Sequence, residues 1–434
     1  MKNVLDFINF LKTSTNPYEA TLSIKDLLDK SDKKFIELKE NESWNLIKGN
    51  NYFVTRNNSS IIAFSLPSDI DDLSFNIAAA HTDSPTFKIK PNNNILIQDH
   101  YSMLNTEVYG GPIFSSFFDR PLSISGRIFV KNNNKIEERM INFDRDLLVI
   151  PNECIHFNRE VNDGKKYNAQ IDLLPLLGEK ENLNNLIENE FKINKNSILS
   201  YDLTLYSRFR GSVIGSNNEF FLAPQIDDLE SAFGLFKGFI SSDLNNKSIN
   251  ICVAFDNEEV GSQTKQGAAS TFLIDTINRI KEGLSLNEEE IKKAFAKSLM
   301  VSCDNAHAVH PNDVSKTDQL NKVFMNDGIV IKHNAAQHYA TDGYSEAIFK
   351  MILSNANIKY QDFTNRSDVR GGGTLGAIST SQVSIPTVDI GLAQLAMHSC
   401  IETAGVKDLT YLIDGMKKFY SSHITKENND IIIK

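Results

Sequence analysis

The side chains able to do chemistry fall at the ends of short apolar runs. His81 and Asp83 follow FNIAAA (75–80), Asp256, Glu258 and Glu259 follow INICVAF (249–255), and Asp304 follows LMVSC (299–303). His398 comes a short loop after TVDI (387–390), and Asp227 and Asp228 are adjacent just beyond Pro224. Each residue alone reads as a helix cap, a turn former or a satisfied loop histidine. Together they are carboxylates and imidazoles without thiolates, the donor set of a hydrolytic site for zinc, manganese or cobalt. In HTD (81–83), extended backbone puts His81 and Asp83 on one side, so Asp83 can hold one ring nitrogen and leave the other for a metal. Glu258 and Glu259 diverge, so one can bind a cation while the other faces the substrate as a base, and two ionised neighbours there require a cation nearby. Two divalent ions would balance Asp227, Glu259, Asp304 and a bridging hydroxide, and two such ions can activate water and polarise a carbonyl.

Positioning these groups calls for an α/β domain. Short buried runs alternating with helical patterns imply a largely parallel sheet with helices on both faces, and ligands of such sheets bind beyond the carboxyl ends of the strands. Val4, Leu5, Ile8 and Leu11 predict a first helix ended by Pro17, and a second is expected to start near Ser23 with Asp26 as capping partner. A further helix is expected over Asn287–Lys297, capped by Asn287. Residues 92–224 are richer in turns and alternating segments such as LSYDLTL (199–205), with one helix within 179–191. They predict an inserted β-rich domain, leaving 1–91 plus 225–434 as the discontinuous catalytic domain. The Asn-rich patches 92–94 and 132–134 are expected at loop tips.

Composition narrows the class. Lys+Arg is 45 against Asp+Glu 55, a net charge of −10, which argues against nucleic-acid binding. No apolar run is long enough to span a bilayer, and Asp6 interrupts the N-terminal apolar stretch, so neither a membrane anchor nor a secretory signal is expected. Four widely spaced cysteines without CxxC predict a reduced, cytoplasmic protein. GGGTLG (371–376) satisfies GxGxxG but follows NRSDVR rather than a strand, so it reads as a tight loop approaching the substrate and not as a dinucleotide site.

AAAHTDSP (78–85), EVYGG (107–111), FDR (118–120), IPN (150–152), IHFNR (155–159), IDDL (226–229), FDNEEVGS (255–262), DNAHAVHPN (304–312), IVIKHN (329–334), TLG (374–376) and QLAMHS (394–399) occur in that order over nearly the whole chain. The sequence resembles the M18 metalloaminopeptidases, the aspartyl-aminopeptidase group. The resemblance implies two divalent metal ions, zinc foremost. His81, Asp304 and bridging Asp227 would hold one ion, and Asp227, Glu259 and His398 the other. Glu258 would be the general base on a metal-bridging water, Asp83 the partner of His81, and His156 a residue reaching a neighbouring subunit's active site. Lys332 would favour an acidic N-terminal residue, with Arg370 a second candidate for that positive pocket, and His307 and His310 would stand behind the ligands or in the pocket wall. The zinc-exopeptidase-like fold would carry an inserted domain for assembly, and the assembly would be a homo-oligomer, a tetrahedral dodecamer acting on peptides. Two departures stand out: Gln225-Ile226 precede Asp227 where the family often has Arg-Leu, and Asp228 stands where Asn is common. A dipeptidase or deacylase on the same scaffold, or a catalytically silent shell protein, is the rival reading.

Overall fold

The computed structural model describes residues 1–243, 247–369, 371–428 and 430–434. The chain divides into two compact units, Met1–Asp83 with Gly211–Met397 and Glu402–Lys434, and Ser84–Arg210 with His398–Ile401. The division falls at 83/84 and 210/211 rather than at 91/92 and 224/225. Thr86–Ile97 is already a strand of the second unit's sheet, and Ser212–Ile214 and Phe220–Ala223 already pair within a sheet of the first.

The first unit is built on a nine-stranded mixed sheet. At its centre Ser248–Phe255, Ser74–His81, Leu299–Cys303 and Thr387–Gly391 run parallel in that order, and every residue of all four strands is buried. Their alternation sorts side chains between two cores. Ala78, Ala80, Cys252, Ala254 and Val301 meet the helices Lys2–Leu11, Pro17–Asp29, Ile226–Ser241, Gly343–Asn355 and Asp408–Ser421 on one face. Ile77, Ala79, Ile251, Val253 and Met300 meet Phe272–Gly283, Glu288–Phe295 and Leu375–Ser379 on the other. The fold is therefore α/β with helices on both faces. Because the four parallel strands share a direction, their carboxyl ends, carrying His81, Asp256, Asp304 and the segment after Gly391, lie along one edge.

The second unit holds a six-stranded antiparallel sheet and the helix Leu183–Phe191. In its strand Ile198–Ser207, Leu203 and Leu205 are buried, but the register shifts between Ile198 and Ser200 and leaves Leu199 exposed, off the face that alternation predicts.

Two local expectations are corrected. The second helix begins at Pro17, not near Ser23: Asn16 accepts hydrogen bonds from the N–H groups of Tyr18 and Glu19, and Pro17 occupies the first helical position, where its missing N–H costs nothing. Asn92–Asn94 is not a loop tip but part of Thr86–Ile97, where an irregular register between Ile89 and Asn94 absorbs it. Asn133–Asn134 does form the hairpin tip between Leu122–Asn132 and Lys135–Asn142. Asn287 caps Glu288–Phe295 in a reciprocal box with Glu290. All four cysteines are free thiols, and among the described residues no helix is long and apolar enough to cross a membrane.

Candidate metal centre

His81 closes the strand Ser74–His81 and is 1% exposed. Its Nε2 lies 3.4 Å from Asp227 Oδ1 and 4.0 Å from Glu258 Oε2. Its Nδ1 lies 3.0 Å from the backbone oxygen of Asp83 and 3.3 Å from Asp83 Oδ1. Asp83 thus fixes the ring, and the nearer acceptor is its main-chain carbonyl rather than its carboxylate. That carboxylate accepts the backbone N–H of Glu258 at 3.1 Å and of Glu259 at 3.2 Å.

Asp227 and Asp228 precede the regular part of the helix Ile226–Ser241. Asp227 has ψ 110°, and the bond between the two residues is cis. Asp228 accepts the backbone N–H of His81 at 3.1 Å, so its carboxylate serves the strand end. Asp304 follows Leu299–Cys303. Gly391, on the neighbouring strand, has no room for a side chain, because a Cβ there would strike the carbonyl oxygen of Asp304. One donor atom each of His81, Asp227, Asp228 and Asp304 lies within 4.8 Å of the others, and His81, Glu258 and Glu259 satisfy the same condition.

The electrostatics fit a cation centre. Burial pushes the Glu258 carboxyl up to about 7, opposed by His81 and reinforced by Asp304, Asp83 and Asp227. Burial, and then Asp227, push Glu259 well above its ordinary value. Burial pushes Asp304 up to about 6, with Lys332 opposing. For His81, burial works against the charged ring, but the carboxylates of Asp228, Asp227 and Asp83 outweigh it and hold the pKa well above the ordinary value. Protein alone leaves this concentration of buried carboxylates poorly compensated, and divalent cations would relieve it. Nitrogen and oxygen donors without thiolate suit zinc.

Other predicted residues take varied places. His398 belongs to the second unit, has φ +67°, and holds its Nδ1 3.1 Å from the carbonyl oxygen of Gly111. His156 is exposed on a turn of that unit. Lys332 is 2% exposed; its ammonium donates to the carbonyl oxygen of Asn305 at 2.8 Å and lies 3.9 Å from Asp304 Oδ2. Burial opposes its charge, but Asp304, Tyr339 and Asp389 prevail and its pKa is pushed up to about 12. His307 and His310 line a cleft of about 310 Å³ with Phe363, Asn365, Gln394 and Met397. Arg370 lies outside the described residues. Gly376 of the GxGxxG string makes room for the Asp389 carboxylate, while Gly371 and Gly372 line the cleft of His307 and His310. Asp256 accepts the N–H of Asn257 and supports its own loop.

Sequence reading missed a buried polar group behind the candidate ligands: Glu230, Asn305, Gln394 and Glu402, each at most 3% exposed. Burial pushes Glu230 up to about 8, with Asn305 opposing. Polar residues inside otherwise apolar, strand-forming segments were the signal available for Gln394 and Glu402.

Comparison with known proteins bears on this arrangement. Residues 10–420 match the family model described as Aminopeptidase I zinc metalloprotease (M18). A Clostridium novyi protein described as probable M18 family aminopeptidase 2 is 42% identical, the match covering 97% of this chain and all of that one. A Pseudomonas aeruginosa protein of the same description is 37% identical over 96% of this chain and 97% of its own. Among solved structures, one titled as the cryo-EM structure of the Ape4 and Nbr1 complex superposes with a TM-score of 0.92 at 32% identity, covering 96% of this chain and 85% of that one. The fold is also shared with a structure of the S. cerevesiae mApe1 dodecamer, TM-score 0.82 at 24% identity, covering 96% of this chain and 95% of that one.

Proposed function

The chain belongs to the M18 family of zinc metalloaminopeptidases, enzymes that hydrolyse N-terminal peptide bonds, and from that premise we propose a dinuclear site with Glu258 as general base and a preference for acidic N-terminal residues. The observation that carries the proposal is the convergence of His81, Asp227 and Asp304 on one point, with Glu258 4.0 Å from His81. His81, Asp304 and Asp227 would hold one ion; Asp227, Glu259 and His398 would hold the other. The ions would lower the pKa of the attacking water and polarise the scissile carbonyl. Glu258 takes the proton from that water and returns it to the leaving amine. Asp83 keeps Glu258 and Glu259 on their loop and the His81 ring in one orientation. Acidic side chains around the site favour a substrate with a free terminal ammonium.

For the acidic preference the support is Lys332, a buried ammonium that spends one donor on Asn305 and keeps two. Arg370 is its proposed companion, and His307 part of the cleft wall. His156 is proposed to act across a subunit boundary in a homo-oligomer, a dodecamer by analogy with the fold relative of that assembly. The inserted unit, on this reading, serves that assembly.

The test is a panel of Asp-, Glu-, Leu- and Ala-aminoacyl reporters on metal-stripped protein, with zinc, manganese or cobalt added back. Restoration at two equivalents per chain, with Asp and Glu cleaved fastest, supports the proposal. Restoration at one equivalent refutes the dinuclear site. Turnover of N-acylated in place of free aminoacyl substrates would establish a deacylase instead. A native mass of twelve subunits tests the assembly.

A further inference from the structure

Behind the proposed ligands runs a directional chain of buried hydrogen bonds. The backbone N–H of Asp227 donates to Glu402 Oε2 at 3.0 Å. Gln394 Nε2 donates to Glu402 Oε1 at 3.4 Å, and Gln394 Oε1 accepts from Asn305 Nδ2 at 3.1 Å. Asn305 directly follows Asp304, also reaches Glu230 Oε2 at 3.2 Å, and accepts the Lys332 ammonium on its carbonyl. The chain therefore joins the segment bearing Asp227 to the segment bearing Asp304. A second sheet holds it rigid: Ala393–Leu395 pairs with Ala306–His307 on one side and Glu402–Gly405 on the other.

We infer that Glu402 and Gln394 are positioning residues that set the separation of Asp227 and Asp304, and through it the affinity of the site for metal. The inference rests on the reading of those two aspartates as ligands. Its chemical core is the count of acceptors. Glu402 sits 2% exposed, where an anion is expensive unless its oxygens are used. Here one oxygen is needed for the Asp227 N–H and the other for the Gln394 amide. A glutamine at 402 offers one acceptor only; its NH₂ would face the NH₂ of Gln394, and flipping Gln394 would only move the clash to Asn305. Exchanging the two residues, glutamate at 394 and glutamine at 402, gives the Asp227 N–H, the residue-402 amide and the Asn305 amide an acceptor each, with the charge unchanged.

The test uses full-length, metal-stripped protein and a competing chromophoric chelator to measure zinc affinity, with near-UV circular dichroism to establish folding. E402Q is expected to bind zinc at least about 10-fold more weakly, and Q394E/E402Q to recover to within about 3-fold of wild type. Should E402Q not fold, Gln394→Met interrupts the same chain one link away and is expected to weaken zinc comparably. Wild-type affinity in E402Q or, where that variant does not fold, in Q394M overturns the inference, as does a loss in E402Q that the exchange leaves unrelieved. Asp227→Ala separates the two levels. If it binds zinc like wild type, the ligand reading itself fails. If it loses zinc while E402Q does not, the positioning chain alone fails.

Discussion

The Asp83 carboxylate accepts the backbone N–H of Glu258 at 3.1 Å while its main-chain oxygen holds His81 Nδ1 at 3.0 Å. One residue thereby ties the strand end Ser74–His81 to the loop after Ser248–Phe255, and couples a proposed ligand to the proposed base. Asp83→Ala removes the carboxylate but not the carbonyl. His81 should keep its orientation, and the Glu258–Glu259 loop should loosen. The expected result is a fall in kcat of about 10–100-fold with a smaller loss of zinc affinity. Steady-state kinetics with a chelator titration checks this; a large zinc loss with unchanged kcat would reverse the assignment.

Glu258→Gln tests the base itself. The amide cannot accept a proton, so turnover should fall by about 10²–10⁴-fold. Zinc content, measured by atomic emission after dialysis, should stay at the wild-type level, because the proposed ligands are untouched.

How much of this site the sequence declares follows from its construction. His81 and Asp304 sit directly after buried apolar runs, and Glu258 and Glu259 three and four residues beyond the end of another; such runs declare both the strand and its end. The two faces of the sheet were legible for the same reason. What escaped depends on partners remote in the chain. Glu402 finds Asp227 across 175 positions, and neither residue's neighbours announce the other. The start of the second helix was misplaced because a proline can either end one helix or open the next, and only the Asn16 cap decides. The unit boundaries were misplaced because pairing, not composition, decides which sheet Thr86–Ile97 and Phe220–Ala223 join.

Lys332 lies beside Asp304 and is proposed to select substrates as well, and the two roles separate kinetically. If the ammonium also receives an acidic substrate side chain, Lys332→Met should lower kcat/KM for Asp- and Glu-reporters at least about 10-fold more than for Leu-reporters, the size of a lost charge-assisted bond. An equal loss on all reporters would confine Lys332 to holding Asp304 and Asn305.

Glu230 makes stability depend on pH. Burial, opposed by Asn305, raises its folded pKa to about 8, against about 4.3 in an unfolded chain. Between those values the folded state binds the extra proton, so its stabilising contribution is full below the unfolded value and is lost as pH rises through the folded one. Glu230→Gln removes the ionisation. Relative to that variant, wild type should lose up to about 1.4 kcal/mol per pH unit across this window. Urea unfolding at pH 5, 6.5 and 8 measures it; parallel curves would show that Glu230 does not titrate with folding.

The helix that carries Asp227 at its start is seated by glycine. At Gly238 a Cβ would lie 2.6 Å from Met416 Cβ and 3.0 Å from the carbonyl oxygen of Ile413, so Ile226–Ser241 approaches Asp408–Ser421 closely. Gly238→Ala gains about 1 kcal/mol of helix propensity but forces two buried backbones apart, an overpacking cost of about 1–3 kcal/mol. A net loss of stability is expected, with a loss of zinc affinity because the displaced helix carries Asp227 with it. Gly343 is the control. It opens Gly343–Asn355 with nothing within 4 Å of its would-be Cβ. Gly343→Ala should therefore raise stability by about 0.4–1 kcal/mol through the unfolded chain and leave zinc binding unchanged. Thermal melts of the two variants, run side by side with zinc titrations, separate close helix packing from helix propensity. Equal stabilisation of both would mean that the space at Gly238 is not needed.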